Sequence, residues 1–213
     1  MKTSIKNLFA AALTLVVLTG SAFASTDVNS NNVTILNQVK NINKIVVSGN
    51  VEVILLQAPV ESIKVYDSYY SKNALVQQKD DVLRISSFQK ETLTVAVYVR
   101  NISSIEASNN AVVRTSGKVN FLSLAVNLSG NAKADLTTNT VNMVASIKDT
   151  AKLNLAGSTT DLFAALGTQA SLSMDQFKAD LSSLNSIAPV YAKVVAVKKP
   201  TLESIVLVDE LAK

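Results

Sequence analysis

Histidine, cysteine and tryptophan are absent from this 213-residue chain, glycine occurs only six times and proline three times. Without histidine or cysteine, the usual general base near neutral pH, the thiolate nucleophile and the common ligands of transition metals are missing. Catalysis would have to run on carboxylates, lysine or tyrosine. No disulfide, thiolate metal site or lipid-bearing cysteine can form. No glycine-rich phosphate loop follows a strand-like run and no acidic-loop spacing for calcium occurs. The sequence therefore predicts no cofactor, no metal and no catalytic residues.

Long apolar runs are also scarce. One lies at the start, where Lys2 and Lys6 precede an apolar stretch from Leu8 to Leu18 and then Ala22-Phe23-Ala24. That three-part layout predicts a secretory signal cleaved after Ala24. A run of about 11 residues falls short of the roughly 20 needed to span a bilayer. The mature chain is expected to begin at Ser25, to keep no transmembrane anchor, and to reside in the periplasm, the outer cell envelope or the medium. Its 20 basic and 16 acidic residues give a formal charge of +4, part of which leaves with the two signal lysines. So small a surplus predicts no nucleic-acid partner. At 48% hydrophobic and 17% charged residues, the chain is too apolar to remain unfolded.

What is present is β-forming. After a polar leader at 25–41, the segment 42–213 consists of short β-branched runs broken by Asn, Ser, Gly and Asp. Ile45 to Val47, Val51 to Leu55, Ile63 to Tyr66, Val82 to Ser86 and Leu93 to Val99 read as strands. Ser68 to Gln78 is the one place suited to a helical turn. From 101 to 176 an internal repeat emerges on Ala111, Ala132, Ala151 and Ala170. Beyond each alanine, alternate residues are apolar: Val113, then Ala134 and Leu136, then Leu153 and Leu155, then Leu172 and Met174. Four residues before each stand Ala107, Leu128, Ile147 and Leu166, and between lies a polar corner such as Ser129-Gly130-Asn131. Each repeat is strand, corner, strand and return, in units of about 19–21 residues.

Such a unit cannot bury its apolar face alone, so neighbours must stack. The expected fold is all-β: a parallel β-solenoid, specifically a right-handed β-helix, preferred over an antiparallel sandwich because the register agrees on both sides of the corner. Val51, Val53 and Leu55, preceded by Ser48-Gly49-Asn50, read as an earlier degenerate copy. The irregular part at 42–100 holds an inserted hairpin or an amino-terminal cap, and 177–213 a carboxyl-terminal cap.

The order Ile45-Val46-Val47-Ser48-Gly49-Asn50-Val51-Glu52-Val53, then a charged, tyrosine-bearing segment, Val82-Leu83-Arg84-Ile85, and apolar repeats cornered by Ser129-Gly130-Asn131 resembles one family. It is that of auto-transporter adhesins of the head GIN domain type, exported proteins of Gram-negative envelopes. The resemblance spans residues 42 to 175 and implies a β-helical fold with a binding or adhesive role, and it brings no established enzymatic activity with it. The chain departs from the pattern in its few glycines, with Lys148-Asp149-Thr150 and Gly167-Thr168-Gln169 at corners, and in its segment after Gln176.

Candidate sites are few. Tyr66, Tyr69 and Tyr70 around Asp67 and Ser68 form the densest aromatic spot, suited to ligand binding because tyrosine supplies amphipathic contact area; the alternative use is to cover the end of the stack. Asp80-Asp81 beside Lys79 reads as a solvated turn. Asp135, Asp149 and Asp161 would serve a carbohydrate-active enzyme only if they converged in one cleft. Asn109, Asn110, Asn131, Thr150 and Gln169 read as a structural corner ladder. The expected function is a non-enzymatic, adhesin-like envelope protein binding a surface glycan, a lipid or another envelope protein. The alternatives are a carboxylate-dependent carbohydrate enzyme and an assembly protein that self-associates through an end unit by strand addition.

Overall fold

A computed structural model describes residues 33–66 and 74–186. None of the described residues is helical, and they form thirteen strands. In chain order these are β1 (Val33–Leu36), β2 (Lys44–Gly49), β3 (Val51–Gln57), β4 (Ser62–Tyr66), β5 (Ala74–Lys79), β6 (Val82–Ser87) and β7 (Leu93–Val99). They are followed by β8 (Ser104–Ser108), β9 (Val112–Thr115), β10 (Val119–Leu128), β11 (Lys133–Ile147), β12 (Lys152–Leu166) and β13 (Ser171–Ser186). All belong to one mixed sheet.

The ladders from β8 and β9 onward are parallel, in the register expected from the alanine spacing. Ala134 faces Val113 on one side and Leu153 on the other, and Leu153 faces Leu172. On the other side of the corner Leu128 faces both Ala107 and Ile147. These inward rows set apolar on apolar, and Ala111, Ala132, Ala151, Leu128, Ile147 and Leu153 are essentially inaccessible. Burying a Leu or Ile side chain contributes roughly 1.5–3 kcal/mol, so each stacked unit recovers what it cannot gain alone.

The corners work because of one backbone position. Gly49, Asn109, Gly130 and Asp149 each stand two residues before the row of Val51, Ala111, Ala132 and Ala151, and all have φ between 55° and 86°. Glycine, Asn and Asp reach that left-handed region at little cost, whereas β-branched residues do not. The turn is closed by Ala111 N–H donating to Ser108 O at 3.3 Å, and likewise from Ala132 to Ser129 and from Ala151 to Lys148.

The amino-terminal part is wound differently. β2 lies between β6 and β8, and β3 between β7 and β9, all parallel, so the degenerate copy at Val51 occupies the middle of the stack. Residues 82–99 form the unit outside it. Beyond that unit the sheet turns antiparallel, with β4 on β7, β1 on β4 and β5 on β6.

Two expectations require correction. The part of Ser68 to Gln78 that is described is not helical: β5 begins at Ala74 and pairs antiparallel with β6 through the Asp80-Asp81 turn, where Asp80 has φ 56°. Its Val76 is buried on the core, an edge that pairing satisfies and a lone helical turn would not. The polar leader at 25–41 contains β1, with Val39 buried behind it. The alternation also persists past Met174. One extra residue in β13, between the partners of Asn154 and Ala156, moves the inward row from Met174 to Phe177, a bulge that disguises the pattern in the sequence.

Candidate binding faces

Because side chains alternate along each strand, stacked units present outward rows as regular as the core rows. On the β9–β11–β12 side one row runs Ile54, Arg114, Asp135, Asn154 and Ser173, with Glu52 two residues before Ile54 on the same face of β3. Arg114 pairs with Glu52 at 3.0 Å, and Asn154 Nδ2 donates to Asp135 Oδ1 at 2.5 Å. The row borders a shallow groove of about 360 Å3 that also includes Thr115, Thr137 and Asp175. Its polar groups are largely engaged with one another.

The three dispersed aspartates are not brought together. Asp135 lies in this row, Asp149 is spent in a corner where its Oδ2 accepts from Gly130 N–H at 2.8 Å, and Asp161 faces out on the other side beside Asn142 and Leu181. Carboxylates placed so cannot act as an acid–base pair on one glycosidic bond. The corner polar residues bond along the stack, Asn131 Nδ2 to Asn110 Oδ1 at 3.3 Å and Thr150 Oγ1 to Asn131 Oδ1 at 2.5 Å, while Asn109 Nδ2 reaches Ser48 Oγ at 2.9 Å. They satisfy local groups. Among the described residues no cluster of three or more acidic side chains is placed to hold a metal ion.

The opposite outward side is apolar where polar residues are expected. Ala125, Val144, Phe163 and Ser183 form one ladder row, with Leu181 on the adjoining one. Val144, Phe163 and Leu181 are 46%, 43% and 66% exposed and line a groove of about 310 Å3 with Asn142, Asp161 and Ser182. Leu122 and Val141, at the bends of their units, are exposed as well. The signal for this patch was present in the sequence: Val144-Ala145 and Phe163-Ala164 put apolar residues on both faces of a period-two strand.

Of the tyrosines singled out, Tyr66 ends β4, is exposed, and pairs with Val33 and Thr94. Tyr69 and Tyr70 lie outside the described residues. A further tyrosine, Tyr98 on β7, faces Ser62 at the other end of the β4–β7 ladder, with the Lys64 ammonium 5.1 Å from its ring centre. Among the described residues no helix is long and apolar enough to cross a membrane.

The fold and its outward rows define an all-β protein that displays long regular faces. The chain belongs to the family described as putative auto-transporter adhesin, head GIN domain, which matches residues 41–203. Among solved structures it is similar to a putative adhesin from Parabacteroides distasonis, with 14% identity, TM-score 0.56 and coverage of 72% of this chain and 77% of that one. It is also similar to a putative lipid binding protein from the same species, at 9% identity, TM-score 0.54 and coverage of 74% and 79%. A putative adhesin from Parabacteroides merdae follows, at 14% identity, TM-score 0.51 and coverage of 72% and 76%. At these identities the likeness is one of fold. No curated protein matches the chain.

Proposed function

We propose that the chain is an exported, non-enzymatic, adhesin-like protein of the cell envelope, built as a right-handed parallel β-helix from residue 42 onward. The parallel ladders and the one-unit offset of their registers support the β-helix, since parallel crossovers are right-handed in nearly all cases. The signal layout of residues 1–24 supports export, with cleavage before Ser25 and a polar leader through residue 41. The partner is a surface component: a glycan, a lipid or another envelope protein. Membership of the adhesin family carries this reading. Two surfaces are suited to the task. One is the tyrosine-bearing segment of Tyr66, Tyr69 and Tyr70; the other is the outward apolar strip of Val144 and Phe163, where desolvation rewards a partner that covers it.

The test is an array of glycans and lipid vesicles probed with the chain from Ser25, beside a Tyr66→Ala/Tyr69→Ala/Tyr70→Ala variant and a Phe163→Lys variant. Binding by the parent chain, abolished in one of the two variants, is the expected outcome and assigns the surface. Hydrolysis of any arrayed sugar overturns the non-enzymatic reading. Amino-terminal sequencing of protein from the native host checks export, and an intact Met1 end refutes it.

A further inference from the structure

The outward row of Ala125, Val144, Phe163 and Ser183 is set apart by what flanks it. Apart from Leu181 and Ala165, the two neighbouring rows are Ser, Asn and Asp: Ser123, Asn142 and Asp161 on one side, Asn127, Ser146 and Asn185 on the other. Asp161 is the one charged residue in the three rows. In other outward rows polar side chains bind one another, as Lys44 does Glu106 at 2.6 Å, Arg114 does Glu52, and Ser158 does Asn139 at 3.1 Å. The Asn142 amide and the Asp161 carboxylate stand side by side facing outward, and neither side chain has a hydrogen-bond or ion-pair partner among the described residues.

Paired strands lie about 4.8 Å apart and two residues of strand span roughly 6.5–7 Å, so the Asn142–Asp161 pair stands one step along from Val144 and Phe163. All four line the groove of about 310 Å3 together with Leu181. An occupant that covers the apolar residues therefore also takes water from the pair, and a carboxylate that loses water without gaining a donor is heavily penalised. The occupant must bring an apolar face and hydrogen-bond donors at close spacing. A lipid acyl chain has no donors, and the negative potential of an anionic bilayer opposes Asp161. A second copy of the chain docked symmetrically on this face would add another unpaired Asp161 to the same interface. A neutral sugar has both properties: C–H groups for the Phe163 ring, and hydroxyls that can donate to Asp161 and accept from Asn142 Nδ2.

We propose that the face centred on Phe163 is a binding site for a neutral glycan, with one sugar ring stacked on Phe163 and its hydroxyls bonded to Asp161 and Asn142. The inference rests on the surface-binding reading above and narrows it to one ligand class and one face. Because the flanking rows repeat small hydroxyl and amide side chains from unit to unit, further sugars of the same chain meet adaptable hydrogen-bonding groups without crossing a charge.

The test uses the full chain from Ser25 with an array of neutral oligosaccharides of glucose, mannose, galactose and N-acetylglucosamine, and with vesicles of phosphatidylcholine alone and mixed with phosphatidylglycerol. Binding is measured for the parent and for Phe163→Ala, Phe163→Trp, Asp161→Ala and Lys152→Ala, the last on the β9–β11–β12 side. All three positions are exposed, so thermal melts are expected to match the parent and show that each variant is folded. The parent is expected to bind at least one oligosaccharide, Phe163→Ala and Asp161→Ala to weaken that binding about tenfold or more, and Phe163→Trp and Lys152→Ala to retain it. Raising sodium chloride from about 0.05 to 0.5 M should change the affinity less than about twofold, since a neutral ligand forms no ion pair to screen. Oligosaccharide binding unchanged in both alanine variants overturns the site and leaves the surface-binding reading in place. A steep loss with salt overturns the proposal in favour of a cationic ligand on Asp161. Binding to none of the sugars overturns it as well, and vesicle binding in that case leaves the surface-binding reading standing. Cleavage of a bound oligosaccharide that disappears in Phe163→Ala keeps the site and overturns the non-enzymatic reading instead.

Discussion

Residues 119–166 and residues 33–99 build the same kind of structure by opposite routes. In the first, each unit stacks on the one just before it in sequence, so Asn154 lies on Asp135 and Phe163 on Val144. In the second, the chain completes β2 and β3, moves outward to make β6 and β7, and returns on the far side to lay β8 and β9 against the strands it began with. Lys44 accordingly faces Val82 on one side and Ser104 on the other. Closing a loop three times as long costs only about 1 kcal/mol more, since each doubling adds roughly 0.6 kcal/mol. Burial of Ile45, Val47, Val51 and Val53 between two neighbours readily offsets that. Sequence adjacency is therefore dispensable for a stacked unit, whereas the inward rows are not.

The sharpest way to break the comparison is at the core row. Leu153→Asp is expected to destabilise the chain by roughly 3–5 kcal/mol, through a lost side chain and a charge buried without a partner. Lys152→Asp, on the neighbouring outward position, should change stability by about 0.5 kcal/mol or less. Denaturant melts of the two variants decide the register, and equal effects would refute it.

Backbone position provides the next contrast. A Cβ on Gly49 would meet Ser87 O at 2.0 Å and one on Gly157 would meet Thr138 O at 2.1 Å, both at positive φ. Gly49→Ala and Gly157→Ala should each cost roughly 2–4 kcal/mol, since a backbone must shift in addition to the left-handed penalty of about 1–2 kcal/mol. Gly130→Asn should cost less, about 1 kcal/mol in thermal melts, because Asn109 already occupies the equivalent corner of the preceding unit at φ 60° while the added Cβ would stand 3.1 Å from Asn109 N. A large loss at Gly130→Asn would show that the corners at Asn109 and Gly130 are not equivalent.

Smaller effects separate satisfied from unsatisfied core hydroxyls. Thr140 Oγ1 and Thr159 Oγ1 share a buried hydrogen bond of 2.9 Å, and Thr159 Oγ1 also lies 3.0 Å from Val141 O. Thr138 Oγ1 is buried with no partner. Thr159→Val should cost about 1–3 kcal/mol, whereas Thr138→Val should be neutral or stabilise by up to about 1 kcal/mol. Urea denaturation resolves the difference in sign. Least of all, Glu52→Gln, which discharges the ion pair joining β3 to Arg114 of β9, should cost about 0–1 kcal/mol and less in high salt. A loss well above that would mean that the β3–β9 ladder depends on this pair.

The regular region was legible because its information is local. Period-two apolarity identifies the inward face, and a Gly, Asn or Asp two residues before a small buried residue marks the corner, so the alanine spacing alone gave the register of Ala134, Leu153 and Leu172. The family resemblance was legible for the same reason, since it rests on short runs such as Val46-Val47-Ser48-Gly49-Asn50. The candidate surfaces were less so. Tyr66 was found by composition, whereas Val144 and Phe163 were passed over because an apolar residue in a β-branched strand is ordinary until its neighbours show which way it points.

By itself, the sequence determined that the chain is all-β, that its faces alternate, and that Ala111, Ala132, Ala151 and Ala170 stack in one row. Those properties depend on φ/ψ preferences and on side-chain period within a few residues. Only the tertiary structure decided that β2 and β3 lie inside β6 and β7, that Ala74–Lys79 joins as an antiparallel edge, and that one extra residue in β13 moves the inward row from Met174 to Phe177. Each is a choice between pairings with similar inward rows, which differ by little more than a loop-closure term. They are distinguished only when the whole core is assembled and every edge has found its neighbour.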